Sequence, residues 1–138
     1  MNDDSTSRRI LVYAAVTGAL GVLIGAFGAH GLPDFLARQG VDPETLTKRL
    51  AQFDTGARYH LVHATALFAL ASLGFGSPES RRWAARFFLA GIILFSGSLY
   101  LLVFTGITKF GMVTPLGGLS WIIGWATLAV VSRKSKHL

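Results

Sequence analysis

His30, His60 and His63 are the side chains of this sequence best suited to ligand chemistry. His60 and His63 stand three apart, so on a helix both can point to one side. Neutral imidazole is the commonest metal ligand. The three histidines together are therefore a candidate site for zinc, copper or a haem iron. A structural reading competes with this one: His30 caps backbone carbonyls, His63 makes one interhelical hydrogen bond, and His60 faces lipid headgroups. Tyr59, Ser96, Ser98, Tyr100 and Thr114 add hydroxyls that, with His30 and His63, could line a cavity for a small solute. The competing reading is that each hydroxyl bonds back to a carbonyl of its own helix, as is common in membranes. No set of catalytic residues emerges. There is no glycine-rich phosphate loop with its lysine, and the histidines and serines lack an acid partner within an apolar run. Cysteine is absent, which removes disulfides, thiolate sites and thiol nucleophiles.

The elements that must position these groups are apolar helices. Of 138 residues, 51% are hydrophobic and 14% charged, and the mean hydropathy is +0.50, too apolar for a soluble domain of this size. Ile10–Ala29 carries no charge and is long enough to cross roughly 30 Å of hydrocarbon. It exceeds the h-region of a signal peptide, about 7–15 residues, and further apolar runs follow, so it reads as a retained span. Spans are expected at about 10–29, 59–76, 87–107 and 110–131. The fourth has two starts open to it: a helix from Phe110 kinked at Pro115, or one capped by Thr114 with Pro115 as its first residue. Between the first two, Asp42-Pro43-Glu44 reads as an N-cap, a first-turn proline and an acid near the positive end of a helix dipole. Leu46, Leu50, Phe53 and Ala57 follow at helical spacing, which predicts an amphipathic interfacial helix over 43–57. The fold expected is all-α: a single domain, an antiparallel bundle of four transmembrane helices with that interfacial helix between the first and second.

Glycines mark where those helices can meet closely. Gly18, Gly21, Gly25 and Gly28 recur at steps of three, four and three and share one face of the first span. Gly91 in the third span and Gly117 and Gly124 in the fourth offer similar close approach. Such small-residue faces drive helix association in lipid. Arg8, Arg9, Arg81, Arg82, Arg86, Arg133, Lys134 and Lys136 fall on one side of a four-span topology, against Arg38, Lys48, Arg49, Arg58 and Lys109 on the other. Both termini are thereby expected in the cytoplasm of a bacterial cell, with the protein in its inner membrane. The formal net charge of +6 lies in short clusters beside apolar runs, which argues against nucleic acid as a partner.

GAFGAHGL (Gly25–Leu32), Tyr59 with His63-Ala64, SGSLY (Ser96–Tyr100), TPLGG (Thr114–Gly118) and Gly124-Trp125 occur in that order. With these motifs the chain resembles the Domain of Unknown Function 423 family, small bacterial membrane proteins similar to the mitochondrial transmembrane protein 256. The resemblance covers roughly Ile10–Val131. It implies a four-helix integral membrane protein and no known activity or cofactor. His30 and His63 match histidines of the family pattern, whereas His60 falls where the resemblance leads one to expect Gln. The function expected is a non-catalytic membrane component or assembly subunit that packs through its glycine faces, as a homo-oligomer or in a larger complex in the bilayer. Two alternatives stand beside it. One is a solute- or metal-binding or transport protein with an extracytoplasmic cavity around His30 and His63. The other is a redox subunit holding a cofactor through histidine.

Overall fold

The computed structural model describes residues 3–73 and 76–134. Residues 74–75, at the expected end of the second span, and the tail beyond Lys134, with Lys136, lie outside the described residues. The chain is helical almost throughout. Helix α1 spans Asp3–His30, with Asp3 and Asp4 in its first turn and His30 in its last, the signs that complement the helix dipole. A short α2, Leu32–Arg38, follows Gly31 with Pro33 in its first turn. It ends at Gly40, whose φ of 74° is a left-handed conformation that favours glycine.

Helix α3 runs without a break over Pro43–Leu73, 31 residues or about 46 Å. Residues 43–57, expected as an interfacial helix running into the next span, are continuous with 59–73 in this one rod. Its start follows the sequence reading: the Asp42 carboxylate accepts the Thr45 N–H at 3.0 Å, and Pro43 follows the cap. That contact holds the Asp42 carboxyl below its usual range.

Helix α4, Pro78–Gly91, is capped by Ser77, whose hydroxyl accepts the Ser80 N–H. It passes through a π-turn, Ile92–Ser96, into α5, Gly97–Thr105. In the π-turn the Gly97 N–H reaches back to the Ile92 carbonyl, one residue farther than in an α-helix. Gly106, at φ 71°, closes α5 by donating to Leu102 O at 2.8 Å. Arg49 of α3 donates to Val103 O in the same last turn. A 3₁₀ turn, Thr108–Met112, precedes α6, Thr114–Lys134. The fourth span therefore starts as an α-helix at Thr114, not at Phe110. Pro115 lies in its first turn, where its missing N–H has no intrahelical role.

Among the described residues, three stretches are long and apolar enough to cross a membrane: Asp3–His30, Pro78–Thr105 and Thr108–Ala129. Helix α3 falls below that apolarity because Arg58, Tyr59, His60 and His63 interrupt it. It packs along α1 in the opposite direction. Gly28 faces Phe53, and Gly21 faces Leu61 and His60. Two apolar clusters form along this pair. One joins Ile10, Leu67, Phe88, Ile92 and Trp121 at the end carrying Asp3. The other joins Leu32, Leu36, Phe53, Leu102 and Val103 at the end carrying His30. The polar side chains around His60 and His63 lie between them.

Candidate functional site: a hydrogen-bonded layer between two apolar clusters

The middle of α3 supplies Gly56, His60 and His63, and the helices around it converge on these residues. His63 is buried and lies flat on Trp121, with ring centroids 3.8 Å apart and planes 2° apart. The Trp125 indole N–H donates to His63 Nε2 at 3.2 Å. An indole can only donate, so Nε2 is an acceptor and the proton of a neutral ring sits on Nδ1. Nδ1 then donates to the Tyr59 carbonyl at 2.9 Å. No lone pair of His63 remains for a metal. Trp121 is fixed in turn by its own N–H, which donates to Phe88 O at 3.1 Å. Tyr59 stacks on the same indole, 5.7 Å between centroids, while remaining partly exposed.

His60 faces the other flank of α3. Its Nδ1 shares a 3.2 Å hydrogen bond with the Tyr100 hydroxyl. Its Nε2 is buried against the Thr17–Gly21 stretch of α1 without a hydrogen bond of normal geometry. The expectation that His60 faces headgroups is thus corrected: it is 4% exposed. Tyr100 packs on Phe53 and over Gly56, where a Cβ would meet its ring.

The π-turn places Ser96 against α3. Its hydroxyl donates to Gly56 O at 2.7 Å and is fully buried. Two residues later, Ser98 donates its one proton to Phe95 O at 2.9 Å, so Thr114 is the donor in the 2.8 Å bond between the two hydroxyls. Ser98 does bond back within its helix, and Thr105 does so too, to Leu101 O. Ser96, Ser98, Tyr100 and Thr114 each have a partner inside the bundle.

His30 belongs to a different level. Between the Gly28–Phe53 and Gly21–His60 contacts, α1 advances seven residues, about 10 Å, and His30 lies beyond Gly28. It is exposed and has no side-chain hydrogen bond among the described residues. The expected gathering of His30, His60 and His63 at one membrane face is corrected accordingly. The sequence places the start of the span at Tyr59, whereas α3 already lies along α1 from Phe53. Among the described residues no three His, Asp or Glu side chains cluster to hold a metal ion.

The glycines divide into two kinds. A Cβ at Gly21 would meet Leu61, one at Gly28 would meet Phe53, and Gly91 and Gly117 lie against Trp121 and the Phe95 backbone. Gly124 lies against Phe88. Gly18 and Gly25 have nothing within 4 Å. The α1 seam is therefore two columns: Gly21 and Gly28 turn to α3, and Gly18 and Gly25 turn to the outside. Gly18 opens a groove of about 450 Å³ between α1 and α3, with Ala14, Ala15, Ala64 and Phe68 on its walls.

Sequence reasoning missed two residues here. Arg81 is 0% exposed at the start of α4. It donates to Asp3 at 2.6 Å, to Ser7 at 2.7 Å, and to Leu70 O and Ala71 O near the end of α3. Arg49, at the opposite end, seals α5 as described. Nothing in the arginine run of the sequence separates Arg81 from Arg82 or Arg86.

The chain is similar to known proteins over most of its length. The family model described as "Protein of unknown function (DUF423)" matches residues 24–118, from within α1 to the first turns of α6. A membrane protein of Bacillus subtilis, UPF0382 membrane protein YwdK, is 41% identical over 129 residues, covering 90% of this chain and 95% of the relative. A UPF0382 membrane protein of Haemophilus influenzae is 38% identical, with 94% and 98% covered. The UPF0382 inner membrane protein YgdD of Escherichia coli K12 is 35% identical, with 96% and 95% covered. No solved structure matches the chain. The family model matches more than half of the chain and these relatives match most of it, so the chain belongs to the DUF423 family of membrane proteins.

Proposed function

We propose that this protein is a non-catalytic subunit of the bacterial inner membrane, which acts by presenting the outer glycine column of α1 to the helix of a second copy. In this reading α3 crosses the membrane with the three more apolar stretches as an antiparallel bundle of four. Both termini face the cytoplasm on the side of Arg8, Arg9, Arg81, Arg82 and Arg86. The inner-membrane name of the Escherichia coli relative supports the compartment, and the arginine asymmetry supports the orientation.

The observation that carries the proposal is the division of the glycines. Gly21 and Gly28 are used to bring α3 close, while Gly18 and Gly25 face outward with open space above them. In lipid, such a surface gains little from hydrophobic burial and much from the close packing of another backbone. The hydrogen-bonded state of His63, Ser96, Ser98 and Thr114 supports a structural rather than a chemical role for the layer.

The test uses the absence of native cysteine. A single cysteine replacing the exposed Val22, beside the groove, is oxidised in native membranes. The expected result is a disulfide-linked dimer that Gly18→Leu abolishes and Ile93→Leu, on the far helix, does not. A monomer throughout, or a dimer indifferent to Gly18→Leu, would overturn the proposal.

A further inference from the structure

Beside the Arg81 clasp, α1 and α4 leave a cleft of about 240 Å³. Its walls are two helical stripes of the same spacing: Thr6, Arg9, Ile10 and Tyr13 from α1, and Arg82, Ala85, Arg86 and Leu89 from α4. Both helices start at this end, so each stripe runs from polar to apolar as it enters the bundle. Arginines stand at the mouth, with Ile10, Tyr13 and Leu89 deeper.

None of these three arginines is neutralised. The ion pairs among the described residues are Asp54 with Arg58 and Asp3 with Arg81. Asp3, the nearest acid on α1, is thus already committed to Arg81. Asp4 lies on the opposite side of α1 from Thr6 by helical geometry. Glu79, a turn before Arg82, forms no ion pair with it. Two of the guanidinium groups are held in place by uncharged partners. Arg82 donates to the Thr6 hydroxyl at 3.4 Å, and Arg86 lies 4.9 Å above the ring of Trp83. Positioned, unpaired guanidinium groups at the edge of an apolar run are suited to a phosphate, whose oxygens accept charge-assisted N–H bonds, two in parallel from one guanidinium where the geometry allows.

We infer that this cleft is a binding site for the phosphodiester headgroup of an anionic phospholipid. The lipid phosphate lies between Arg9, Arg82 and Arg86, and its acyl chains continue along Ile10 and Leu89. The argument depends on α1 and α4 crossing the membrane, and it is independent of whether α1 pairs with a second copy. A free phosphate would satisfy the arginines equally well. The apolar depth of the cleft, directly below the charges, favours the lipid.

The purified full chain, in a neutral detergent, is titrated with phosphatidylglycerol and separately with phosphatidylcholine, and bound lipid is counted by native mass spectrometry. Phosphatidylglycerol is expected to bind more tightly. A charge-assisted hydrogen bond from arginine to the phosphate is worth about tenfold in affinity, so Arg9→Gln/Arg86→Gln should lose about 100-fold. Arg8→Gln removes the same charge one position away, outside the cleft, and should change affinity less than about twofold. Circular dichroism and the elution volume of each variant report its folding. Arg86→Lys, which retains the charge, should recover part of the affinity if Arg86→Gln misfolds. Equal binding of the two lipids, or equal losses for Arg8→Gln and Arg9→Gln, would overturn the inference by reducing it to general surface charge. Displacement of phosphatidylglycerol by millimolar inorganic phosphate would overturn it in favour of a free anion.

Discussion

His63 has both ring nitrogens engaged inside the bundle, one as donor to Tyr59 O and one as acceptor from Trp125. Trp125→Phe keeps the aromatic volume and removes the donor, leaving a buried acceptor without a partner. Such a loss costs about 1–3 kcal/mol, and the thermal unfolding midpoint in detergent should fall accordingly. Trp83→Phe, at an exposed position, should leave it within about 0.5 kcal/mol. At the end of the bundle carrying Asp3, Asp3→Ala strips the buried Arg81 guanidinium of its carboxylate. A charged hydrogen bond contributes about 1.5–3 kcal/mol, and the exposure of Asp3 places the expected loss toward the lower value. Arg81 illustrates what the sequence conceals. Its burial depends on two carbonyls at the end of α3 and an acid 78 residues away, and no local pattern encodes either. The His63–Trp125 contact was half legible. Trp121 and Trp125, four apart, had to share a flank of α6, but which helix they would meet depended on packing.

Among the elements, α1 and α3 show how far periodicity can be read. The spacing of Gly18, Gly21, Gly25 and Gly28 placed all four on one side of α1. It could not divide that side into a column under α3 and a column outside it, because about 60° of rotation separates the two. The division makes an asymmetric prediction. Gly117→Ala would drive a methyl group into the Phe95 backbone, and overpacking of this kind costs about 1–3 kcal/mol or more. Gly18→Ala meets nothing and gains helix propensity of up to about 1 kcal/mol, so in the monomer it should be neutral or stabilising. Paired melting curves of the two variants, in detergent that keeps the protein monomeric, check both. The start of α3 was fully legible, because Asp42-Pro43 is a local signal. Its consequence is also local. The Asp42 carboxyl is held below 3.8 by the Thr45 N–H, so its stabilising contribution is complete at neutral pH and is lost as the pH falls through that lowered value. Asp42→Asn retains the accepting oxygen, and the helicity of α3 should then no longer depend on acid in this range. Circular dichroism between pH 5 and about 2 would reveal the difference. The π-turn at Ile92–Ser96 had no sequence signal: its extra residue is justified by the fit of Ser96 to Gly56 O and of Phe95 to Gly117, contacts between residues far apart in the chain.

At the scale of the molecule, the helical class was legible from hydropathy, whereas the depth of each residue was not; of the four spans expected, three stretches among the described residues are long and apolar enough to cross a membrane. Setting α3 against α1 moved its buried start back to Phe53, and this alone carried His60 and His63 away from His30. The proposed topology has a direct check. Cysteines introduced singly at Gln39 and at Glu79, both exposed, should differ in labelling by a membrane-impermeant maleimide added to spheroplasts. Gln39 should react and Glu79 should not; the same response at both positions would mean that α3 does not cross. The Arg81 clasp has a further consequence, for the order in which the protein is made. Asp3 and Ser7 leave the ribosome first, yet the guanidinium they bind is 78 and 74 residues behind them. At synthesis rates of about 5–20 residues per second, the first helix waits about 4–16 s in the bilayer before its partner exists. For that interval Asp3 and Ser7 lack the guanidinium they bind in the finished fold, and the clasp can close only once α4 has been made.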